Sequence, residues 1–460
     1  MADHARATSQ RVLERLRVVG VASARDLGGS ISASQPAISR ALSQLGQRVV
    51  RIGRGRSTRY APARSVGRFG SRWPIHQIAA DSRVTTFGTL QALDGGNWLL
   101  DPAEPRPGWL DGEFRDGLFP GLPWFLDDLR PQGFMGRAFA RQCAADLGVN
   151  EDATRWSADE VLIALLLRGE DLLGNFVLGD VALERAQRIM LAEPEAIGRE
   201  DRAGRYATLA QGALAGDVVG SSAGGEQPKF TATVAGDDGS IRHVIVKFSD
   251  VRSTPGGRRW ADLLMSEHLA ARILARHGVP AASTEVVAAG DRHCLEVTRF
   301  DRVGAHGRVG FVSLQPLDAA DYGALDRWVD AADRLERDRW LTREDADRLR
   351  LLWWFGGLIA NADMHFANAG LFLTGERPCS LAPSYDMLPM LYRPGASGEI
   401  VAREFRPPLP PPAAVELWRS AAAMAEDLWR TVESTEEISR AFRDIAGANA
   451  EQVAALRVRY

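Results

Sequence analysis

The spacing of apolar residues divides the chain into a helical start, a mixed middle, a strand-rich stretch and a helical end. In residues 10–19, Val12, Leu13, Leu16 and Val19 fall on one helical face and predict an amphipathic helix. Residues 22–27 read as a second helix, broken by Gly28-Gly29 and Ser30. Ser34 is expected to cap a third, with Pro36 in its first turn and Ala37, Ile38, Ala41, Leu42 and Leu45 along one side. Val49-Val50-Arg51-Ile52, a GRGRS turn and Thr58-Arg59-Tyr60 then read as a β-hairpin. Residues 66–216 predict a mixed α+β packing unit. It holds a hairpin turning at Gly95-Gly96, a helical stretch broken at Pro131, and helices at 159–167 and 183–192.

Residues 217–235 form a Gly/Ser loop leading into a strand, and 241–248 (IRHVIVKF) form a β-branched strand. Ser266-Glu267 are expected to open a helix, SEHLAARILARHG, followed by strands at 286–287 and 293–300. Asp301-Arg302 suit a hinge between two lobes. Beyond it helices are expected at 325–336 and 342–359, the second buried through Trp353-Trp354-Phe355. A proline run at 406–412 reads as a rigid linker rather than an SH3-type ligand. Two closing helices follow, at 413–432 and 435–458. The divisions expected are residues 1–65, 66–216, 217–300 and 301–460.

Charge changes the picture only locally. At net −3 the chain has no overall basic field to draw it to nucleic acid. Yet Arg48, Arg51, Arg54, Arg56, Arg59 and Arg64 crowd the first hairpin, while Gln35, Ser39, Arg40 and Ser43 lie off the apolar face of the third helix. Three helices and a basic hairpin in this order are similar to the winged helix-turn-helix domains of bacterial regulators, with phosphate contacts from the hairpin. The same unit would otherwise serve protein contacts, with its arginines solvated. Winged helices often read paired half-sites, so a homodimer is expected with it. Three scattered cysteines, no apolar leader and no apolar run of about 18 residues point to the cytoplasm and away from membranes.

The chemistry gathers in two places. Among 56 basic residues only Lys229 and Lys247 are lysines. Where Arg serves every generic positive charge, the two lysines mark positions that need a compact ammonium, such as contact with phosphate oxygens. One follows a loop whose small residues, Ser222, Ala223 and Gly224, let backbone N–H groups approach phosphates. The other sits on a strand, as in kinases that hold the α/β-phosphates. Glu267 either pairs with Lys247 or complements its own helix dipole. The second place is 358–389. There Asp363, His365 and Asn368 interrupt an apolar sequence, and Asp386 follows a hairpin. Asp-x4-Asn, a hairpin and a second Asp suit a kinase catalytic loop. The first Asp orients and deprotonates the attacking hydroxyl, and the Asn and second Asp hold Mg²⁺ on the ATP phosphates.

SSAGGEQPKF, HVIVKF, SEHLAARIL, EVTRFDR, NADMHFAN and LAPSYDM, in that order, resemble the HipA family of Ser/Thr protein kinases, the toxins of HipA–HipB toxin–antitoxin modules. The resemblance spans about residues 80–450. With a winged helix in front, the chain is similar to the stand-alone, YjjJ-like branch. The resemblance implies a two-lobed kinase fold, ATP and Mg²⁺ as cofactors and a protein substrate, and leaves open whether a separate antitoxin is a partner. It implies Asp363 as catalytic base supported by His365, Asn368 and Asp386 as Mg²⁺ ligands, and Lys247 on the phosphates. It also implies adenine contacts from the backbone around Thr298 and Phe300, and autophosphorylation at Ser221 or Ser222. The chain departs from the family at Thr298, where Glu is usual, and by one extra residue in AGGEQPK. Three other readings of the same residues stay open. They are a transcriptional regulator that senses nucleotide through a degenerate kinase domain, a small-molecule kinase and, more weakly, a nuclease.

Overall fold

The computed structural model describes residues 2–216 and 225–460, with the side chains of residues 2–5 and of Arg56 outside the description. Ser221, Ser222, Ala223 and Gly224 therefore lie outside the described residues. At the N-terminus, helices Ala2–Val19, Ala24–Ile31 and Gln35–Leu45 close on Leu13, Leu16, Leu27, Ile38 and Leu42. Strands Val49–Ile52 and Arg59–Pro62 pair as a hairpin, to which Ala22–Ser23 adds a third strand. The expected break at Gly28-Gly29 does not occur. Ser23 and Asp26 form a capping box that starts the second helix two residues late, and it runs to Ser32, whose φ of 51° ends it. Gly28 is there for close packing: a Cβ would stand 3.1 Å from Ala33 O. Ser34 occupies the N-cap position of the third helix but makes no side-chain capping bond; Pro36 supplies the first turn.

The hairpin is docked, not free. Ile52 and Ala61 bury against Leu93, flanked by Leu99 and Leu118 from the next region. That region is a five-stranded antiparallel sheet, ordered Leu118–Phe119, Trp98–Pro102, Val84–Ala92, Arg72–Ile78 and Phe176–Leu178. Phe87, Trp109, Phe125 and Phe176 pack edge and face across its inner side. Helices Gly133–Leu147, Ala158–Arg168 and Gly179–Leu191 accompany it.

A second sheet follows, antiparallel throughout, ordered Thr284–Ala289, Arg292–Thr298, Ile241–Phe248 and Lys229–Ala235. The helix packed on it is Pro255–Arg276, not one opened by Ser266. Thr254 accepts the N–H of Gly257 at 3.0 Å and Pro255 fixes the first turn, so Glu267 lies in mid-helix. Its placement there removes the dipole explanation of Glu267, which holds only for a terminal turn.

Past residue 301 the chain is mostly helical. Helices Leu314–Asp321, Trp328–Arg337, Arg343–Leu358, Val415–Ser434 and Arg440–Arg459 build one core with Trp328, Phe355, Trp418 and Trp429. A small sheet of Phe311–Ser313, Gly370–Phe372 and Ser380–Leu381 carries the expected hairpin before Asp386. The proline run is fastened, with Trp418 Nε1 donating to Pro408 O at 2.9 Å. No helix among the described residues is long and apolar enough to cross a membrane.

Candidate active site

Lys247 stands directly opposite Lys229 in neighbouring strands, so both side chains leave the same face of the sheet. Both are buried, at 4% and 5% exposure. The helix Pro255–Arg276 crosses that face and brings Glu267 Oε1 to 2.6 Å from Lys247 Nζ. From the mostly helical part past residue 301, Asp386 Oδ1 accepts from the same ammonium. A strand, the helix that follows it and a carboxylate 139 residues further along the chain thus meet on one lysine.

Their charges set one another. Burial disfavours the Lys247 ammonium, but Asp386 and Glu267 outweigh it and raise its pKa. Burial likewise opposes ionisation of Asp386, yet Lys247 and Lys229 hold its carboxyl below the usual range. Burial pushes the Glu267 carboxyl up, against the pull of Lys247, and its Oε2 has no hydrogen-bond partner among the described residues. Lys229 is drawn down to about 8, by burial first and by Lys247, with Asp386 resisting. Gly225 closes over it: a Cβ there would lie 2.7 Å from Lys229 Nζ.

The second part is built by the end of helix Arg343–Leu358. Trp354, Phe355 and Leu358 bury it, and Ala360 at φ 59° turns the chain out into the polar loop. Asn361 then acts as a staple. Its Oδ1 accepts the Asp363 N–H at 3.1 Å, and its Nδ2 donates to Asp386 O at 3.2 Å. Asn368 Nδ2 donates to Asp363 O at 2.7 Å, so its amide oxygen is left as acceptor. The Asp363 side chain is 41% exposed, with His365 Nε2 3.8 Å from its Oδ1. Asp386 itself holds φ 55°, a costly conformation for a residue with a Cβ. Tyr385 beside it donates to Ala367 O at 2.8 Å.

Asn361 was not singled out in the sequence, although NAD before the motif is the kind of polar start that a loop staple requires. Thr298 ends its strand with N–H on Ser283 O at 2.8 Å and its hydroxyl 3.4 Å from Arg242 Nη1. The ring of Phe300 is committed to packing with Phe311, Phe372 and Tyr385. As donors, the Asp386 carboxylate and the Asn368 amide oxygen fit Mg²⁺, which takes hard oxygens and keeps several waters. Among the described residues no group of three or more His, Cys, Asp or Glu forms a metal cage.

At the N-terminal unit, Gln35, Ser39, Arg40, Arg51 and Arg54 are exposed. Arg59 is turned to Asp116 of the middle region, and Arg64 binds Asp159 Oδ1 at 2.8 Å. These two arginines therefore fasten the hairpin to its neighbour.

Comparison with known proteins places this architecture. Residues 69–187 match the family model described as YjjJ-like toxin, middle domain, and residues 221–454 match HipA-like C-terminal domain. Toxin YjjJ of Escherichia coli (strain K12) is 35% identical over 446 residues, covering 96% of this chain and 97% of the relative. Among solved structures, the Shewanella oneidensis MR-1 toxin–antitoxin complex of HipA, HipB and operator DNA contains a similar fold. It has a TM-score of 0.51 at 18% identity, over 84% of this chain and 97% of that one. On near-complete coverage at this identity, and on a match to half its length, the chain belongs to the family of HipA-like, YjjJ-like toxins.

Proposed function

We propose that the protein is a Ser/Thr protein kinase that passes the γ-phosphate of ATP to a protein hydroxyl, and that it carries its own DNA-binding winged helix. The observation that supports this most is the buried Lys247 held between Glu267 and Asp386, with the Asp363–Asn368 loop stapled to Asp386 by Asn361. Phosphoryl transfer asks chiefly for positioning and charge neutralisation. In this reading Lys247 and Lys229 face the phosphates, and the backbone of Thr298 and Phe300 meets the adenine. Asp386 and Asn368 hold Mg²⁺, which when bound neutralises charge on the phosphate oxygens. Asp363, exposed at the mouth of the loop, orients the incoming hydroxyl and takes its proton, with His365 beside it.

The family suggests Ser221 or Ser222 as an internal phosphate acceptor. The solved relative is described in complex with HipB and operator DNA, and an antitoxin partner belongs to the same reading here. For DNA, the supporting features are the three-helix unit with its hairpin and the exposed Gln35, Ser39, Arg40, Arg51 and Arg54. Arg56 is included on sequence grounds, and Arg59 is weakened by its pairing with Asp116. The working division is residues 1–65 for DNA, 66–216 for the middle region, 217–300 for nucleotide and 301–460 for catalysis, in a cytoplasmic protein.

The test is mass spectrometry of the purified protein after incubation with ATP and Mg²⁺, beside Asp363→Ala. Phosphate on Ser221 or Ser222 in the wild type alone supports both transfer and the internal acceptor. Equal phosphate on both proteins rejects the role given to Asp363.

A further inference from the structure

The chain between helix Ala158–Arg168 and strand Phe176–Leu178 is plugged into the junction of the two lobes. Asp171 Oδ1 accepts from Arg302 Nη2 at 2.7 Å and lies 3.9 Å from both Arg299 Nη1 and Arg308 Nη2. Asp301, 2% exposed, takes Arg299 on both oxygens, at 3.0 and 2.9 Å, and Arg302 Nη1 at 2.6 Å. The backbone joins in. Gly174 N donates to Asp301 Oδ2 at 2.8 Å, and the carbonyls of Glu170 and Gly174 accept from Arg308 and Arg302 at 2.7 and 2.9 Å. Three buried guanidinium groups share two carboxylates. Burial and the neighbouring Arg302 draw Arg308 down to about 9, and Asp171 is held at about 2 because the arginines outweigh its burial.

Lys247 and Glu267 lie on the chain before this junction, and Asn368 and Asp386 lie after it. Their spacing therefore depends on how residues 298–302 are held. A junction made of a short irregular stretch bends readily unless its side chains are fixed from outside. Asp171 supplies that fixing from a region that contributes no group to the triad on Lys247. We infer that the middle region is a brace for the interlobe hinge and that Asp171 is its positioning residue for nucleotide binding, a role that rests on the nucleotide-site reading above. Asp171→Asn keeps the size of the side chain, so the charge is removed without opening a cavity.

Equilibrium binding of ATP with Mg²⁺ to the full chain tests the brace. The proteins compared are wild type, Asp171→Asn, Asp171→Glu and Asn449→Ala. Asn449 is buried against Tyr392 in the closing helices and serves as a purely structural control. Asp171→Asn is expected to weaken ATP binding by about tenfold, in the range for residues sharing one network, with Asp171→Glu in between. Asn449→Ala is expected to lower Tm yet bind ATP as the wild type does. Wild-type affinity in Asp171→Asn, or an equal loss in Asn449→Ala, overturns the brace while leaving the nucleotide site standing. A wild type that binds no ATP rejects the nucleotide site itself, and the brace with it. If Asp171→Asn does not fold, amide exchange in the wild type decides. ATP should slow exchange at Gly174, and an unchanged rate there overturns the inference.

Discussion

Replacing Glu267 by Gln removes one charge from the centre of the site while keeping its size. At 2.6 Å the Lys247–Glu267 attraction amounts to about 6 kcal/mol at an effective dielectric of about 20. Most of this is cancelled by the cost of burying the carboxylate, several kcal/mol in its own right. What remains is of the order of a charged hydrogen bond, about 1.5–3 kcal/mol. Lys247 also keeps Asp386, so the ammonium is not left alone; it leans wholly on that carboxylate. Two effects follow. Lys247 loses the partner that holds it on the phosphate side, and Asp386 becomes less available to a cation. Glu267→Gln should therefore lower kcat/KM for phosphate transfer by about 10- to 150-fold and raise the Mg²⁺ concentration needed for half-maximal rate. Initial rates over a grid of ATP and Mg²⁺ concentrations, with circular dichroism as a check on folding, measure both. A folded Glu267→Gln enzyme with rates and Mg²⁺ dependence like the wild type would refute the view that Glu267 positions Lys247.

Three further outcomes are expected. Lys229 is drawn from 10.5 to about 8, so between those values the unfolded chain binds a proton that the folded chain has lost. Its contribution to stability thus rises with pH across that window, by about 3 kcal/mol at most, and urea titrations at the two ends should show the gain in wild type but not in Lys229→Met. ATP affinity should move the other way, weakening above pH ~8 in the wild type and staying flatter in Lys229→Met, as calorimetry would reveal. Arg40→Ala with Arg54→Ala should weaken DNA binding and flatten its dependence on salt by about two contacts; an unaltered slope would separate these side chains from the phosphates.

Part of the site is legible in the sequence. The scarcity of lysine flagged Lys229 and Lys247, and the structure buries both side by side. The Asp-x4-Asn spacing flagged Asp363 and Asn368, which a direct hydrogen bond joins. What escaped were facts that depend on contacts distant in sequence. Glu267 read as a helix start because the helix opens on Thr-Pro-Gly-Gly-Arg-Arg, a stretch with little apolar periodicity; the Thr254 cap and burial of Leu263 and Leu264 carry it. Arg59 and Arg64 read as free positive charge because nothing local reveals that Asp116 and Asp159 fold against them. Asn361 bonds to a backbone carbonyl 25 residues away, and no spacing rule predicts that partner. The ion cluster around Asp171 and Asp301 was invisible for the same reason, since it joins residues more than a hundred positions apart.

Transfer of the γ-phosphate to a protein hydroxyl through Asp363 is open to a direct test. γ-Labelled ATP and Mg²⁺ are added to a cell extract supplied with wild-type protein or with Asp363→Asn, and label is followed on serine and threonine. Asp363→Asn keeps the size of the side chain and removes the base, so it should still bind ATP while new phosphoserine or phosphothreonine appears only with the wild type. Identical labelling with both proteins, once ATP binding by both has been verified, would contradict the account.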